Sequence, residues 1–395
     1  MKRAYKTEIK PIEEQRSKIH QTIGVCRFLY NRFIAYNQEQ YQLYKEGKQI
    51  YGYVNGNDFD KYVNNDLSKQ KGYEWIKKVG SKARKKAIMN AHQAFQRFFK
   101  GEAKFPRFKR KKNQDVKAYF PKNNKGDWTV ERHRIKIPTI GWVRLKEFGY
   151  IPTNLNAISG TISQQAGRYY VSVVFEVESQ AKSDVPLSSG IGIDLGLKTF
   201  ATISDGTAYK NINKTQRMKK LEKKLKREQR SLSLKFKYGK TLKLKGGESA
   251  TKTRTNIDKN ILRVQKLHKR LANIRLEYVK YVVHECVKNK PTFITIEDLN
   301  VKGMMKNKHL SKAVAEQNLN TFKTWLLSKC KEYGIELRQV SRFYPSSKRC
   351  SGCGHIKKDL KLSNRIYECE CGNRMDRDYN ASLNLAQAID YTILT

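Results

Sequence analysis

No stretch of this chain approaches the ~18 consecutive apolar residues that a membrane span needs, and Met1-Lys2-Arg3 leads into no apolar secretory segment. The expectation is a cytoplasmic protein with no membrane partner. Acids are scarce as well: 36 Asp and Glu face 81 Lys and Arg, a formal net charge of +45. There are seven cysteines, of which Cys26, Cys286 and Cys330 stand alone inside helical patterns and four fall in close pairs. That usage excludes a secreted disulfide framework and points to a reducing compartment.

So cationic a chain repels itself unless a polyanion neutralises it, and nucleic acid is the expected partner. A cationic membrane-surface protein is the rival, and the missing apolar run argues against it. At 395 residues the chain exceeds what one core usually holds, which suggests two or three units. The 38% hydrophobic content permits such cores.

Arg3 to Ile9 reads as extended, and Ile19, Ile23, Cys26, Tyr30 and Phe33 then mark one face of a helix. A Gly- and Asn-rich loop is expected around Tyr51 to Asn57, and a helix from about Ser81 to Lys100 carries Ile88, Ala91, Phe95 and Phe98. Between Lys104 and Lys125 lie nine basic residues and one acid, Asp115, interleaved with Phe105, Phe108, Tyr119 and Phe120. Cations for phosphates beside rings for bases suggest a nucleic-acid contact, a solvated basic loop being the alternative. Trp142 to Leu145 and Tyr169 to Glu178 read as strands, with a hairpin turn at Gln164 to Gly167, and Lys182 to Ser189 as a linker. Two basic helices follow, one within Lys214 to Lys245 carrying Met218, Leu221 and Leu225, and one from Ile261 to Val287 carrying Val264, Leu267, Leu271, Ile274 and Tyr278. Together they suggest a hairpin with charged outer sides.

The chemistry-bearing residues come last. Gly190 to Asp194 reads as a buried strand that ends in a carboxylate, with Thr199 to Ile203 as the next strand after it. Its glycines do not match the dinucleotide spacing. Pro291 to Ile296 is a second β-branched strand tipped by Glu297-Asp298. With Asp378, these bring hard oxygen ligands to one sheet edge, a set able to hold two Mg2+ ions roughly 3.5 to 4 Å apart for phosphodiester hydrolysis. Asp378 also precedes a helical pattern and suits an N-cap. Cys350-x2-Cys353 and Cys369-x-Cys371 carry the spacing of a four-thiolate zinc site, structural because it leaves no open position. His355 is the substitute ligand should Cys371 not reach.

The order Gly192-Ile-Asp194-Leu-Gly196, Ile296-Glu297-Asp298-Leu-Asn300-Val-Lys-Gly-Met304, Tyr344-Pro-Ser-Ser-Lys348, the cysteine pairs, and Asp376-Arg-Asp378-Tyr-Asn380-Ala resembles TnpB, a family of transposon-encoded RNA-guided DNA endonucleases related to type V CRISPR effectors. The likeness is strong over 190–395; upstream, Phe105-Pro-Arg-Phe-Lys109 and Phe98-Phe99 also resemble the family. The Cys369-x-Cys371 pair departs from it, since two intervening residues are commoner there.

The resemblance implies an α+β multidomain fold: a helical recognition lobe (12–120), a small β-barrel-like wedge domain (1–11 with 121–182), and an RNase H-like RuvC α/β nuclease domain (189–344 with 372–395) with an inserted zinc-binding module (345–371). It implies Asp194, Glu297 and Asp378 as the catalytic, Mg2+-binding triad, with Asp298 and Asp376 as second candidates by adjacency. The implied partners are a guide RNA from the element's own end and a double-stranded DNA target beside a short flanking motif, with the protein a monomer in the ribonucleoprotein. A guide-independent RuvC-type nuclease or transposition factor would carry the same triad, and a non-catalytic nucleic-acid binder would need only the zinc clip and the basic surface.

Overall fold

The computed structural model describes residues 2–111, 117–122, 127–177, 189–244, 249–361 and 364–394, without the side chains of 239–254. The basic segment at 112–116 and 123–126 and most of the expected linker at 182–189 lie outside the described residues. The chain divides into two compact units, Met1–Glu178 and Ser179–Thr395. Among the described residues no helix is long and apolar enough to cross a membrane.

In the first unit, strand β1 (Lys2–Lys10) runs into helix α1 (Glu13–Lys45), followed by α2 (Gly56–Asn65) and α3 (Ser81–Phe99). The expected stripe on α1 is present, with Ile19, Cys26 and Phe33 buried and Ile23 and Tyr30 partly so. Helix α2 occupies part of what reads in sequence as loop: the Asn55 side chain accepts from the backbone N–H of Asn57 (2.9 Å) and Asp58 (3.1 Å), an N-cap that outweighs Gly56.

Six further strands, β2 (Ala118–Pro121), β3 (Thr129–Val130), β4 (Arg134–Ile137), β5 (Gly141–Leu145), β6 (Ala157–Gln165) and β7 (Arg168–Glu176), join β1 in the order β2-β6-β7-β1-β5-β4-β3. The β6–β7 turn holds Ala166 (φ 51°) and Gly167 (φ 74°) in the left-handed region, as a tight hairpin requires.

Among the described residues the sheet is open, which corrects the barrel-like expectation: β2 and β3 are its edges and do not pair. β3 has two residues and β2 ends in Pro121, which lacks an N–H, so a closing ladder has too few partners. Instead the Trp128 indole donates to the Phe120 carbonyl at 3.2 Å. Phe120 is buried in the core, so it is not the stacking surface its neighbours suggest; Phe105 and Phe108 are exposed. Helices and sheet share one hydrophobic cluster, in which Phe33, Phe59, Ile88 and Phe95 join Val171, Val173 and Phe175.

The second unit is built on strands β8 (Ile191–Leu195), β9 (Thr199–Ile203), β10 (Ala208–Lys210), β11 (Phe293–Glu297), β12 (Glu336–Val340) and β15 (Thr392–Ile393), ordered β10-β9-β8-β11-β12-β15. The central strands β8, β11 and β12 are parallel, and the outer ones antiparallel. Helices α4 (Gln216–Leu244) and α5 (Ser249–Lys288) form the expected hairpin, with Met218, Leu221 and Leu225 against Leu267 and Leu271. Tyr278 leaves that stripe: its ring lies 5.6 Å from Phe200, and it belongs to the sheet's core.

Short helices α6 (Val301–Met304) and α7 (Ser311–Gln317) lead to α8 (Leu319–Tyr333), whose Leu319, Phe322 and Leu326 pack with Ile193, Ile294, Ile296 and Leu337. A hairpin of β13 (Ile366–Glu368) and β14 (Arg374–Asp376) feeds α9 (Arg377–Ala386).

Candidate active site

Side chains alternate across a strand, so β8 and β11 sort their residues between two faces. Ile193, Ile294 and Ile296 enter the core shared with α8. Gly192 faces the other way, where an added Cβ would sit 2.1 Å from the Ser382 carbonyl oxygen and 2.4 Å from the Ala386 nitrogen. Only glycine lets α9 lie that close to β8. Asp194, two residues beyond Gly192, shares its face. Thr295 pairs with Gly192 in the parallel ladder, so Glu297 stands beside Asp194 on the same face. The first turn of α9 contributes Asp378. Two strand ends and one helix start thus converge at the carboxyl edge of the parallel strands, where open α/β sheets place their sites.

The electrostatics record the convergence. Asp194 is pushed well above the usual carboxylate range, by burial first, then by the charges of Glu297 and Asp378, with Arg377 opposing and Asp376 adding a little. Glu297 is raised by burial, and the Ser346 hydroxyl, which donates to its Oε1, pulls the other way. Asp378 Oδ1 lies 3.2 Å from Arg377 Nη2 and 4.0 Å from Arg365 Nη1. Among the described residues the three acids do not form a group with all ligand oxygens within 4.8 Å of one another, as the cysteines below do; what joins them is the charge of Glu297 and Asp378 acting on Asp194.

The expected N-cap moves by two residues. Asp376, not Asp378, caps α9: its Oδ1 accepts from the backbone N–H of Asp378 (2.9 Å) and Tyr379 (3.2 Å). An N-cap side chain satisfies the N–H groups two and three positions on, so Asp378 is left inside the first turn, free of capping and paired through Oδ1 with Arg377. Asp298 is committed elsewhere, taking Arg342 Nη2 at 2.6 Å and Gln339 Nε2 at 3.0 Å.

The four cysteines come together. Their sulfurs all lie within 4.8 Å of one another, with Cys350 3.7 Å from Cys371 and Cys353 3.6 Å from Cys369. A tetrahedron with Zn–S of about 2.3 Å has S···S edges of about 3.8 Å, whereas a disulfide needs about 2.05 Å, so the spacing fits one zinc ion and no disulfide. The shorter Cys369-x-Cys371 pair reaches because Gly372, at φ 87°, closes a tight turn in which its N–H donates to the Cys369 carbonyl at 3.0 Å. His355 stays outside the quartet; its backbone carbonyl accepts from Cys350 N–H at 2.8 Å. Burial works against ionisation of Cys350, yet the Asn373 amide, 3.3 Å from its sulfur, and nearby backbone N–H groups bring the thiol down to about 6.

Sequence reasoning missed what joins these two centres. The Asn384 amide donates at 2.7 Å to the carbonyls of both Ser346 and Arg349, and Asn380 donates to Arg349 at 2.7 Å while accepting from Ser351 N–H at 3.0 Å. Both asparagines are essentially fully buried. The cysteine clip, α9 and the Ser346 that holds Glu297 therefore form one hydrogen-bonded body. Ser346 and Asn380 lie inside the quoted motifs, but nothing in their spacing reveals these bonds.

Three family models match successive parts of the chain: "Helix-turn-helix domain" (1–47), "Probable transposase" (172–308) and "Cas12f1-like, TNB domain" (320–385). Over 1–47 the structure has a strand and one unbroken helix in place of a helix-turn-helix. "Putative RNA-guided DNA endonuclease InsQ" of Escherichia coli (strain K12) is 30% identical over 402 residues, covering 98% of this chain and 92% of its own. "Putative RNA-guided DNA endonuclease" of Streptomyces pristinaespiralis is 27% identical, covering 98% and 89%. "CRISPR-associated endodeoxyribonuclease Cas12f1" of Sulfoacidibacillus thermotolerans is 27% identical over 55% of this chain and 50% of its own. A cryo-EM Cas12f1-sgRNA-target DNA complex aligns with 98% of this chain and 99% of its own at 17% identity and a TM-score of 0.35, too loose a match to carry a structural argument. With a 30% identical relative matched over 98% of this chain and 92% of its own, and a transposase model matching 172–308, the chain belongs to the TnpB family of transposon-encoded RNA-guided DNA endonucleases.

Proposed function

We propose that the protein, bound to a guide RNA, cleaves double-stranded DNA beside a short flanking motif, with Asp194, Glu297 and Asp378 at the centre of the nuclease site. The observation that supports this reading is that Asp194 and Glu297 share one face of the β8–β11 ladder and that Asp378, from the first turn of α9, adds its charge to that of Glu297 in raising Asp194. They would hold two Mg2+ ions, which when bound polarise the scissile phosphodiester and activate a water. Asp194 and Glu297 orient from rigid strand ends. Ser346 fixes the Glu297 rotamer, and Asp376 keeps α9 starting where Asp378 faces the other two. The clip formed by Cys350, Cys353, Cys369 and Cys371 would hold one structural Zn2+ and lock residues 346–351 against α9.

On this reading 12–120 is the recognition region, 1–11 with 121–182 the wedge, and 189–344 with 372–395 a RuvC domain of RNase H-like topology, which the antiparallel β10-β9-β8 and parallel β8-β11-β12 order supports. The zinc module is 345–371. The complex acts as a monomeric ribonucleoprotein in the cytoplasm, on the nucleoid when engaged.

The test is to purify the protein from cells carrying its element, sequence the RNA that remains bound, and assay that complex on matching DNA with magnesium. Wild type is expected to cut, and Asp194→Ala to bind without cutting. Absence of bound RNA, or equal cutting by the two proteins, would refute the proposal.

A further inference from the structure

The alternation that turns Asp194 and Glu297 toward α9 turns Leu195 and Ile296 toward α8. At the same strand ends a second cleft of about 230 Å³ opens, lined by Leu195, Ile296, the acids Glu297 and Asp298, and three cations, Lys302, Lys323 and Arg342. Two of them are held in place. Asp298 Oδ2 accepts from Arg342 Nε (3.2 Å) and Nη2 (2.6 Å), its Oδ1 accepts from Gln339 Nε2 (3.0 Å), and Gln339 Oε1 accepts from Lys323 Nζ (3.0 Å). One acid just past β11 and one amide on β12 thus brace a guanidinium just past β12 and an ammonium on α8. Arg342 has five N–H donors and commits two to Asp298, and its side chain remains 48% exposed.

Cations held beside a carboxylate site, with donors to spare, suit binding of an anionic group by charge-assisted hydrogen bonds. The cleft is smaller than the ~300 Å³ at which cavities for drug-sized ligands begin, so it suits one backbone phosphate with its sugar and not a stacked base pair. We propose that Arg342 and Lys323 grip a phosphate of the scissile strand next to the cut, and that Asp298 and Gln339 are positioning residues for them. Asp298 then braces a phosphate clamp instead of binding metal. This rests on the nuclease reading above.

The test uses the RNA-loaded complex and DNA with a neutral methylphosphonate placed at each linkage flanking the cut in turn. For Arg342→Ala and Lys323→Ala the half-saturating DNA concentration is expected to rise about tenfold each, the size of a lost charge-assisted contact, with maximal rate within about threefold. In wild type one methylphosphonate position reproduces that rise. In the double variant the same position adds nothing, because the contact is already gone. Asp298→Asn moves in the same direction by less. Unchanged half-saturation, a loss confined to maximal rate, or a double variant still sensitive at every linkage would overturn the proposal. Unchanged melting temperature and zinc content confirm that the variants fold. Equilibrium binding to the Asp194→Asn complex reads the phosphate contact without cleavage, so a wild type that fails to cut refutes the nuclease reading separately.

Discussion

Asp194 is where burial and like charge act against the folded state. Its carboxyl titrates above its unfolded value, so the associated stability is complete below about pH 3.9 and is lost as pH rises through the folded value; Glu297 shifts in the same direction. In magnesium-free buffer the melting temperature should therefore fall as pH rises from the acid range. Asp194→Asn should flatten that fall and raise the neutral-pH melting temperature by about 2–4 °C per kcal/mol relieved. Scanning calorimetry of both proteins against pH decides this, and parallel curves would show that the acids do not repel. Ser346 supplies the second residue-scale test. Removing its hydroxyl leaves Glu297 with burial alone, so Ser346→Ala should cut maximal rate about tenfold and move the acidic limb of the pH–rate profile upward, with Thr restoring both. A residue that merely packed would move neither.

At the scale of elements, the clip and α9 act as one. β14 runs straight into α9, β13 pairs with it from Ile366↔Asp376 to Glu368↔Arg374, and Arg377 N–H donates to the Arg365 carbonyl at 2.7 Å. Loss of the metal should loosen the start of α9 as well as the clip. Cys350→Ser is expected to lower zinc by about one ion per chain and to depress both the melting temperature and cleavage. Elemental analysis alongside hydrogen exchange over 377–386 measures the two effects, and normal protection of α9 in zinc-depleted protein would show the clip to be independent. Gly192 belongs to this scale too, since only its missing side chain admits α9 to the sheet.

Across the whole molecule, a net charge of +45 sets how the protein meets its partners. The α4–α5 hairpin packs its apolar stripe inward and leaves residues such as Lys219, Lys220 and Lys223 exposed. Affinity for non-cognate DNA should fall steeply with salt as condensed counterions are released, about 10³-fold or more between 50 and 200 mM if six or more phosphates are neutralised. A titration by fluorescence anisotropy measures the slope, and a flat line would remove the basic helices from the list of phosphate contacts.

Local pattern was enough to place α1, α3, the β6–β7 turn, the strand ends at Asp194 and Glu297, and the cysteine quartet, because each depends on periodicity or spacing within a few residues. Three features needed the folded chain. The open edge between β2 and β3 depends on which backbone groups are left to pair, the cap on α9 depends on whether Asp376 or Asp378 reaches the first N–H groups, and the grip of Ser346 on Glu297 spans 49 residues. By itself the sequence determined which acids and thiols exist and which short elements carry them. Tertiary structure alone decided their partners, because strand register and the close approach of α9 at Gly192 set distances that no spacing along the chain encodes.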